Sequence, residues 1–147
     1  MMGARQDLHR LVHERLQDVG QRYTANRRKL VDLLQAARRP LAVIDLRAAA
    51  RRLPQSSIYR NLAALESAGV VRRVVAEGDF ARFELDERLT QHHHHLVCSS
   101  CGRVEDVSIP STVERSLDRT IDRLAHEAGF ASVGHRLDLI GLCRRCA

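Results

Sequence analysis

The cysteines constrain the fold of this chain more than any other feature, because all four lie in two Cys-x-x-Cys pairs. Cys98 and Cys101 form the first pair, and Cys143 and Cys146 form the second. Each pair makes a short turn that directs both sulfurs at one ion, and two such pairs are the usual ligand set of a tetrahedral structural zinc. The spacing therefore predicts a zinc ion that ties the last residues to the middle of the chain.

Two disulfides are the first alternative for these cysteines. The sequence has no signal peptide and resembles a cytosolic protein, in which thiols stay reduced. A redox pair is the second alternative, but nothing places either pair after a strand of a thioredoxin-like unit. Structural zinc is therefore the favoured interpretation.

Four consecutive histidines, His92 to His95, lead directly to the first cysteine pair. In an extended segment alternate side chains point to opposite faces, so His92 and His94 would share one face and His93 and His95 the other. Such a strand can supply two imidazoles to each of two metal sites. A solvated polar strand is the alternative. An expression tag fits poorly because the run is internal.

The charge of the chain is divided unevenly along its 147 residues. Residues 1–75 carry 15 Lys and Arg against 6 Asp and Glu, a net charge of +9, whereas residues 76–147 carry 9 against 12, a net charge of −3. A basic first half suits a polyanion, and an acidic half with His and Cys suits cations. No apolar run approaches the ~20 residues of a membrane span, so we expect a soluble cytoplasmic protein without a membrane partner.

Apolar periodicity in the first half predicts helices followed by a hairpin. Thr24 is the expected N-cap of the second helix and Ser56 that of the fourth. The predicted helices span residues 8–19, 24–37, 43–52 and 57–68. The predicted strands, 70–75 and 80–85, are joined by a turn at 77–79. This order predicts a winged helix-turn-helix in which residues 77–79 form the tip of the wing.

The second half has a mixed helix and strand pattern. We expect strands at 92–97, 103–109 and 132–142 and a long amphipathic helix at 111–128. This core is small, so zinc and pairing with a second copy would both help it to fold. The chain is thus predicted to be α+β, with a winged-helix DNA-binding domain at 1–85, a hinge at 86–91 and a small α/β metal-binding dimerisation domain at 92–147.

The N-terminal end of the fourth helix carries side chains that suit nucleic acid. In helix-turn-helix proteins this end enters the major groove, where such groups bond base edges and phosphates. These side chains are Ser56, Ser57, Tyr59, Arg60 and Asn61. Arg22, Arg27, Arg28, Arg51 and Arg52 would surround them with positive charge. A winged helix that binds only proteins is the alternative, and salt-dependent binding to DNA distinguishes the two.

The order of these motifs resembles the ferric uptake regulator family of bacterial metal-sensing repressors over about residues 8–147. The matching segments are Tyr23-Thr24-x-x-Arg27, Ser57 to Leu62, Phe83 to Leu85, His92 to Cys101, His135 and the final Cys143-x-x-Cys146. The resemblance implies a homodimer that binds a palindromic, usually AT-rich operator and carries structural zinc on the four cysteines. It also implies a second, regulatory metal that switches DNA binding. Histidine and carboxylate ligands without a thiolate suit Zn, Fe(II), Mn or Ni, and zinc and Fe(II) are our first candidates.

The resemblance also implies roles for individual residues. Tyr59 and Arg60 look like the family's base- and backbone-contacting pair, and Arg22 looks like its minor-groove residue. Tyr23 and Arg27 belong to the same DNA-binding set. The hinge regulatory site would use Glu84, His93 and His95. A second site would use His92, His94, Glu114 and His135. Asp106 stands where some peroxide-sensing members have a carboxylate.

Three departures from the family pattern leave the sensed metal and the fourth hinge ligand open. Pro40 stands about where many members have a histidine in the DNA-binding domain. His9 or His13, on the first helix, could substitute for it, but a solvated helix face is the favoured interpretation of both. The chain has no fifth cysteine of the kind that actinobacterial zinc sensors use near the hinge. The segment between Glu84 and the histidines is about two residues longer than usual. Manganese, nickel or peroxide sensing are therefore alternatives, although Glu84 in place of an aspartate disfavours peroxide sensing.

A metallohydrolase that uses the histidine cluster is the main alternative from another class. It would need an open coordination position and a base beside a cleft, which Glu84 or Glu114 could supply. The sequence contains no HExxH or comparable catalytic motif. We therefore expect a regulator and not an enzyme.

Overall fold

The computed structural model describes residues 2–75, 81–131 and 133–147, and the predicted wing tip at 77–79 lies outside them. Within these ranges the helices are α1 (Met2–Asp18), α2 (Ala25–Ala37), α3 (Val43–Ala49), α4 (Gln55–Ser67) and α5 (Ser111–Glu127). The strands are β1 (Leu41–Ala42), β2 (Val71–Val75), β3 (Ala81–Leu85), β4 (His94–Cys98), β5 (Val104–Val107) and β6 (Asp138–Gly141). No helix in these ranges is long and apolar enough to cross a lipid bilayer.

The first half forms the expected winged helix-turn-helix. Strands β1, β3 and β2 make an antiparallel sheet in that order, with β3 in the centre. Helices α1 to α4 pack against it through fully buried side chains such as Val12, Leu30 and Ile58, and Phe83 of β3 joins the same core. Burial of each such side chain contributes about 1.5–3 kcal/mol, so this core holds α4 firmly in place.

Several boundaries in this half differ from the sequence prediction: α1 begins at Met2 instead of residue 8, and α3 ends at Ala49 instead of residue 52. The Thr24 side chain caps α2 as expected, by accepting from the Arg27 N–H. Helix α4, however, begins at Gln55 with Pro54 as its N-cap, so Ser56 lies in the first turn and is not the cap. Pro54 has φ −57°, close to a helical value, and therefore starts this helix instead of ending the preceding one. Strand β1 was not expected, because two residues carry no periodic signal.

The second half forms a separate three-stranded sheet with β4 in the centre, antiparallel to β5 and parallel to β6. Strand β4 begins at His94, two residues later than predicted, and β6 spans only Asp138–Gly141 instead of 132–142. The parallel pairing of β4 with β6 places Cys98 opposite Gly141. The residues that follow β6 therefore return to the first cysteine pair.

The two halves meet at the hinge and along one small apolar cluster. Val74 of the first sheet packs with Val97 and Val104 of the second. The Arg82 side chain donates a hydrogen bond of 2.9 Å to the Gly102 carbonyl. Between the sheets, a short 3₁₀ turn covers Glu87–Leu89. This arrangement places the end of β3 directly beside the histidine run.

Candidate metal centres and nucleic-acid interface

The four cysteines converge at the end of the second sheet. Their sulfurs all lie within 4.8 Å of one another, and all four thiols are free. The Cys101 and Cys143 sulfurs are 3.8 Å apart, and the Cys143 N–H donates to the Cys98 sulfur over 3.4 Å. Backbone N–H donors of Cys101 and Cys143 lower the pKa of Cys98 to about 6. A ready thiolate among four convergent sulfurs fits tetrahedral zinc.

A second cluster lies at the hinge between the two halves. One carboxylate oxygen of Glu84, Oε2, accepts hydrogen bonds of 3.0 Å from both His93 Nε2 and His95 Nε2. Asp106 Oδ1 lies 3.9 Å from each of the same nitrogens and completes a group of four candidate ligands. We name these four residues the hinge cluster. Glu84 comes from β3 of the winged helix, and the other three come from the second half.

The surroundings of the hinge cluster favour a charged Glu84. The residue is only 5% exposed, and this burial by itself raises the pKa of its carboxyl group. Hydrogen bonds from His95 and His93, with the charges of His95 and Arg72, outweigh burial and bring the pKa to about 2. The carboxylate is thus ionised at neutral pH, which is the form that binds a cation.

A hydrogen bond at Nδ1 orients each of the two hinge imidazoles. His95 Nδ1 is 3.1 Å from Asp138 Oδ1, and His93 Nδ1 donates to the Gln91 carbonyl over 2.9 Å. A ring whose Nδ1 donates to a carboxylate or carbonyl presents Nε2 as its ligand atom once a cation displaces the Nε2 proton. The two Nε2 atoms therefore point at one position beside Glu84.

A third cluster surrounds Glu114, on the first turn of α5. Its Oε2 accepts a hydrogen bond of 2.9 Å from His94 Nε2, and its Oε1 lies 2.8 Å from His135 Nε2 and 3.1 Å from His92 Nε2. We name these four residues the Glu114 cluster. The bond from His94, with the charges of the three imidazoles, outweighs burial and lowers the pKa of Glu114.

The Glu114 cluster leaves hydrogen-bonding capacity unused. Neither close contact of Glu114 Oε1 has hydrogen-bond geometry, so this buried oxygen has no partner in the described part of the chain. The buried His94 Nδ1 likewise has none. Imidazole nitrogens that converge on a carboxylate with one unpartnered buried oxygen fit a bound cation between them.

The histidine run divides between the two clusters as alternation predicts. His92 and His93 precede β4 and therefore lie outside the regular strand. Even so, the His92 and His94 rings are 4.7 Å apart on one face and the His93 and His95 rings 5.2 Å apart on the other. The extended backbone therefore continues the alternation beyond the hydrogen-bonded strand.

The N-terminal end of α4 presents polar groups to solvent. Ser56 and Arg60 are exposed, and the Tyr59 side chain is 50% exposed. Ser57 and Asn61 are partly buried and line a cleft with Arg60, Thr24, Asn26 and Arg27. This surface combines hydroxyl, amide and guanidinium groups on one face, which is the chemistry that bonds DNA base edges and phosphates.

Three side chains of the predicted DNA-binding set, those of Tyr23, Arg27 and Asn61, are engaged within the protein. The Arg27 guanidinium donates to Asn61 Oδ1 over 3.2 Å and to the Arg22 carbonyl over 2.5 Å, which joins α2 to α4. The Tyr23 hydroxyl is 2.6 Å from His9 Nδ1, and the Arg28 guanidinium lies 4.9 Å from the centre of its ring. Arg22 itself is exposed.

Sequence reasoning singled out Asp106 without placing it in a ligand set, and it missed Asp138. Asp106 joins the hinge cluster because the register of the second sheet pairs it with His95, which sequence alone does not show. Asp138, which orients His95, gave no local signal either. Neither His9 nor His13 belongs to any of the three clusters found in the described ranges. His9 instead bonds Tyr23 and Asp32, and His13 is exposed.

A winged helix with a carboxylate at its edge that meets imidazoles of a second sheet defines a metal-responsive DNA-binding regulator. The chain belongs to the ferric uptake regulator family, whose model matches residues 18–140. It is 31% identical to a ferric uptake regulation protein of Legionella pneumophila over 90% of this chain and 96% of that protein. It is 28% identical to the peroxide operon regulator of Bacillus subtilis over 91% of this chain and 90% of that protein.

Solved structures show the same architecture. The ferric uptake regulator of Vibrio cholerae superposes with a TM-score of 0.65 at 28% identity, covering 89% of this chain and 98% of that one. The Pseudomonas aeruginosa ferric uptake regulator with manganese gives a TM-score of 0.70 at 26% identity, covering 88% and 95% of the two chains. Three of these four relatives are named ferric uptake regulators, one of them in a structure with manganese, and the fourth is named a peroxide operon regulator.

Proposed function

We propose that this protein represses transcription by binding operator DNA, and that a divalent cation at the hinge cluster switches this binding. The shared Glu84 oxygen is the observation that supports the proposal, because it receives bonds from His93 and His95 across the boundary between the two halves. Ligands from both halves on one ion would fix the angle between them. The recognition helices of a dimer would then match two half-sites of an operator.

We further propose that the chain divides into a DNA-binding domain at 1–85, a hinge at 86–91 and a dimerisation domain at 92–147. The four cysteines would hold structural zinc. Asp106 is our candidate for the fourth hinge ligand. The Glu114 cluster would be a second metal site. Support comes from the two separate sheets and from the three ligand groups that lie beside the hinge and in the second half.

The donor atoms of the hinge cluster limit the metals that would regulate it. Two imidazoles and two carboxylates without a thiolate suit Zn, Fe(II), Mn(II) or Ni(II). We propose zinc or Fe(II) as the regulator, since iron uptake regulators are among the similar proteins. Glu84 in place of an aspartate makes peroxide sensing the less favoured role.

For the operator, we propose contacts from Tyr59 and Arg60 on α4, with Ser56, Ser57 and Asn61 beside them and Arg22 reaching the minor groove. The basic first half, with a net charge of +9 over residues 1–75, supports this assignment. A homodimer implies a palindromic operator, which we expect to be AT-rich. We also propose that the protein acts in the cytoplasm, as a regulator of transcription, and we propose no catalytic role for it.

Selection from a random pool of DNA duplexes tests this function. The probe is the protein with its cysteine zinc intact, incubated with Zn(II) or, without oxygen, with Fe(II). We expect enrichment of an inverted repeat in the presence of one of these metals, and loss of retention when Tyr59 or Arg60 is changed to Ala. No enrichment with Zn(II) or Fe(II), or with Mn(II) or Ni(II) tested in the same way, would contradict the proposal.

A further inference from the structure

Two charged residues outside the proposed ligand sets connect the hinge cluster to the Glu114 cluster. Arg72 Nε donates to Glu84 Oε1 over 2.6 Å, and Arg72 Nη1 lies 3.6 Å from Glu87 Oε2. The same Glu87 oxygen is 2.9 Å from His92 Nδ1. We propose that Arg72 and Glu87 are positioning residues that couple metal binding at the two clusters. This inference rests on the proposed function, because it requires that both clusters bind metal.

At the hinge end, the two oxygens of Glu84 have different partners. Oε2 accepts hydrogen bonds from His93 and His95, whereas Oε1 accepts one from Arg72. Arg72 is the cross-strand neighbour of Glu84 in the pairing of β2 with β3. Arg72 thus fixes the plane of the carboxylate and reserves a single oxygen for a cation. An ion on Oε2 would in turn immobilise Glu84 and, through it, the long Arg72 side chain.

At the other end, Glu87 determines which nitrogen His92 presents. A carboxylate that accepts from Nδ1 leaves Nε2 as the ligand atom, and His92 Nε2 is the atom that lies 3.1 Å from Glu114 Oε1. Glu87 lies in the 3₁₀ turn between the two halves. His92 is therefore oriented by a residue of the hinge segment.

Burial makes this connection stronger than a surface ion pair. The Arg72 side chain is 15% exposed and that of Glu84 7%, while that of Glu87 is 29% exposed. Arg72 and Glu87 also line one crevice with His93, His95 and His135, so the connection lies between the two clusters. Water screens such charges less than it screens exposed ones.

We expect the coupling between the two clusters to be positive. Ordering Arg72 and Glu87 costs side-chain entropy, and whichever cluster binds metal first bears that cost. The second ion then meets a carboxylate or an imidazole that is already oriented. Each cluster should therefore raise the affinity of the other, by about fivefold or more, at the lower end of usual couplings between sites.

Titration with Co(II), followed by visible absorption, measures this coupling in the full chain with its cysteine zinc retained. Wild type gives the product of the two binding constants. His135→Ala removes a ligand of the Glu114 cluster and so gives the binding constant of the hinge cluster alone. His93→Ala removes a ligand of the hinge cluster and so gives the binding constant of the Glu114 cluster alone. The coupling factor is the wild-type product divided by the two single-cluster constants. We expect a coupling factor of about five or more. When Glu87→Ala is added to wild type, His135→Ala and His93→Ala, we expect the coupling factor to fall to near one.

Arg72→Met breaks the same connection at its other end and should also bring the factor near one. Glu66→Gln is the control, because it removes a more exposed ion pair, 3.2 Å long, of the neighbouring Arg73 that touches neither cluster. It should leave the factor unchanged. Far-ultraviolet circular dichroism checks that each variant is folded. Glu87 lies in a short 3₁₀ turn and is only partly buried, so we expect Glu87→Ala to fold even if Arg72→Met does not.

The outcomes separate this proposal from the proposed function. If both clusters bind Co(II) but the wild-type factor is near one, or Glu87→Ala leaves it unchanged, the coupling proposal is wrong and the metal switch stands. If the hinge cluster binds no Co(II), the proposed function and the coupling both fail. A wild-type factor above about five that both variants abolish and Glu66→Gln retains would establish the connection.

Discussion

At the scale of single residues, His9 shows how a histidine can be structural in a protein rich in metal-binding histidines. Its two ring nitrogens lie 2.6 Å from the Tyr23 hydroxyl and 3.1 Å from Asp32 Oδ1, and its side chain is 11% exposed. These contacts join α1 to α2. Both ring nitrogens are therefore already engaged, and neither is directed at a metal cluster.

We expect His9→Leu to destabilise the protein without changing its metal content. The loss of two partly buried polar contacts should cost about 1–3 kcal/mol in the free energy of unfolding, measured by urea denaturation. His13→Leu, a change to an exposed residue of the same helix, is the control and should cost much less. If His9→Leu instead removed a bound regulatory ion, His9 would be a ligand and our assignment of it would be wrong.

The cysteines give the second prediction at this scale. Cys143 lies just after β6, and its backbone N–H donates to Cys98. Cys143→Ser should remove one zinc ion per chain, measured by elemental analysis after dialysis, and should lower the melting temperature, because zinc joins the last residues to β4. Ser100→Ala, a change within the first cysteine turn, should retain the zinc. Full zinc content in Cys143→Ser would argue against the four-cysteine site.

Some residues of the candidate metal sites could be predicted from the sequence and others could not. The cysteine spacing and the alternation of four histidines depend only on local geometry, so both could be read before the fold was known. Asp106 and Asp138 reach the hinge cluster through the register of the second sheet, and Glu87 and Arg72 reach each other across the hinge. Such contacts depend on tertiary packing, which a local pattern does not specify.

At the scale of elements, the extended segment that leads into β4 directs alternate histidines to different clusters. His93→Ala removes a ligand candidate from the hinge cluster, whereas His92→Ala removes one from the Glu114 cluster. We expect His93→Ala to abolish the effect of metal on DNA affinity and His92→Ala to retain it at saturating metal. Fluorescence anisotropy with a selected duplex measures both. Equal loss in the two variants would contradict the division of roles.

Boundaries of elements were less predictable than their existence. Thr24 caps α2 as expected because a hydroxyl in that position satisfies a free N–H of the first turn. Ser56 suggested the same role, but Pro54 already has a φ suited to a helix start and α4 begins earlier. Strand β6 is shorter than its apolar pattern, because only Asp138–Gly141 pairs with β4.

At the scale of the whole molecule, the second half has an apolar surface that its own fold does not cover. Helix α5 and strand β6 contain no buried residue. Ile140 is 64% exposed, Leu142 58% and Phe130 70%. Apolar groups concentrated on one part of a protein indicate an interface, and a homodimer is the partner that the proposed function requires.

We expect Ile140→Glu to weaken this dimer, with a dissociation constant raised by at least about tenfold, since a buried charge at an interface is costly. Sedimentation equilibrium measures the effect. Ile44→Glu is the control, because Ile44 is 74% exposed but lies in the winged helix. A dimer that Ile140→Glu leaves unchanged would show that this surface has another role.

The most direct test of the whole account is the affinity for a selected operator duplex before and after the regulatory metal is removed. A mild chelator should remove the hinge ion while the cysteine zinc stays bound, as elemental analysis can verify. We predict that the dissociation constant, from fluorescence anisotropy at fixed salt, rises by about tenfold or more, a usual size for coupling between two sites. Unchanged affinity, with the hinge ion gone and the zinc retained, would contradict the metal switch.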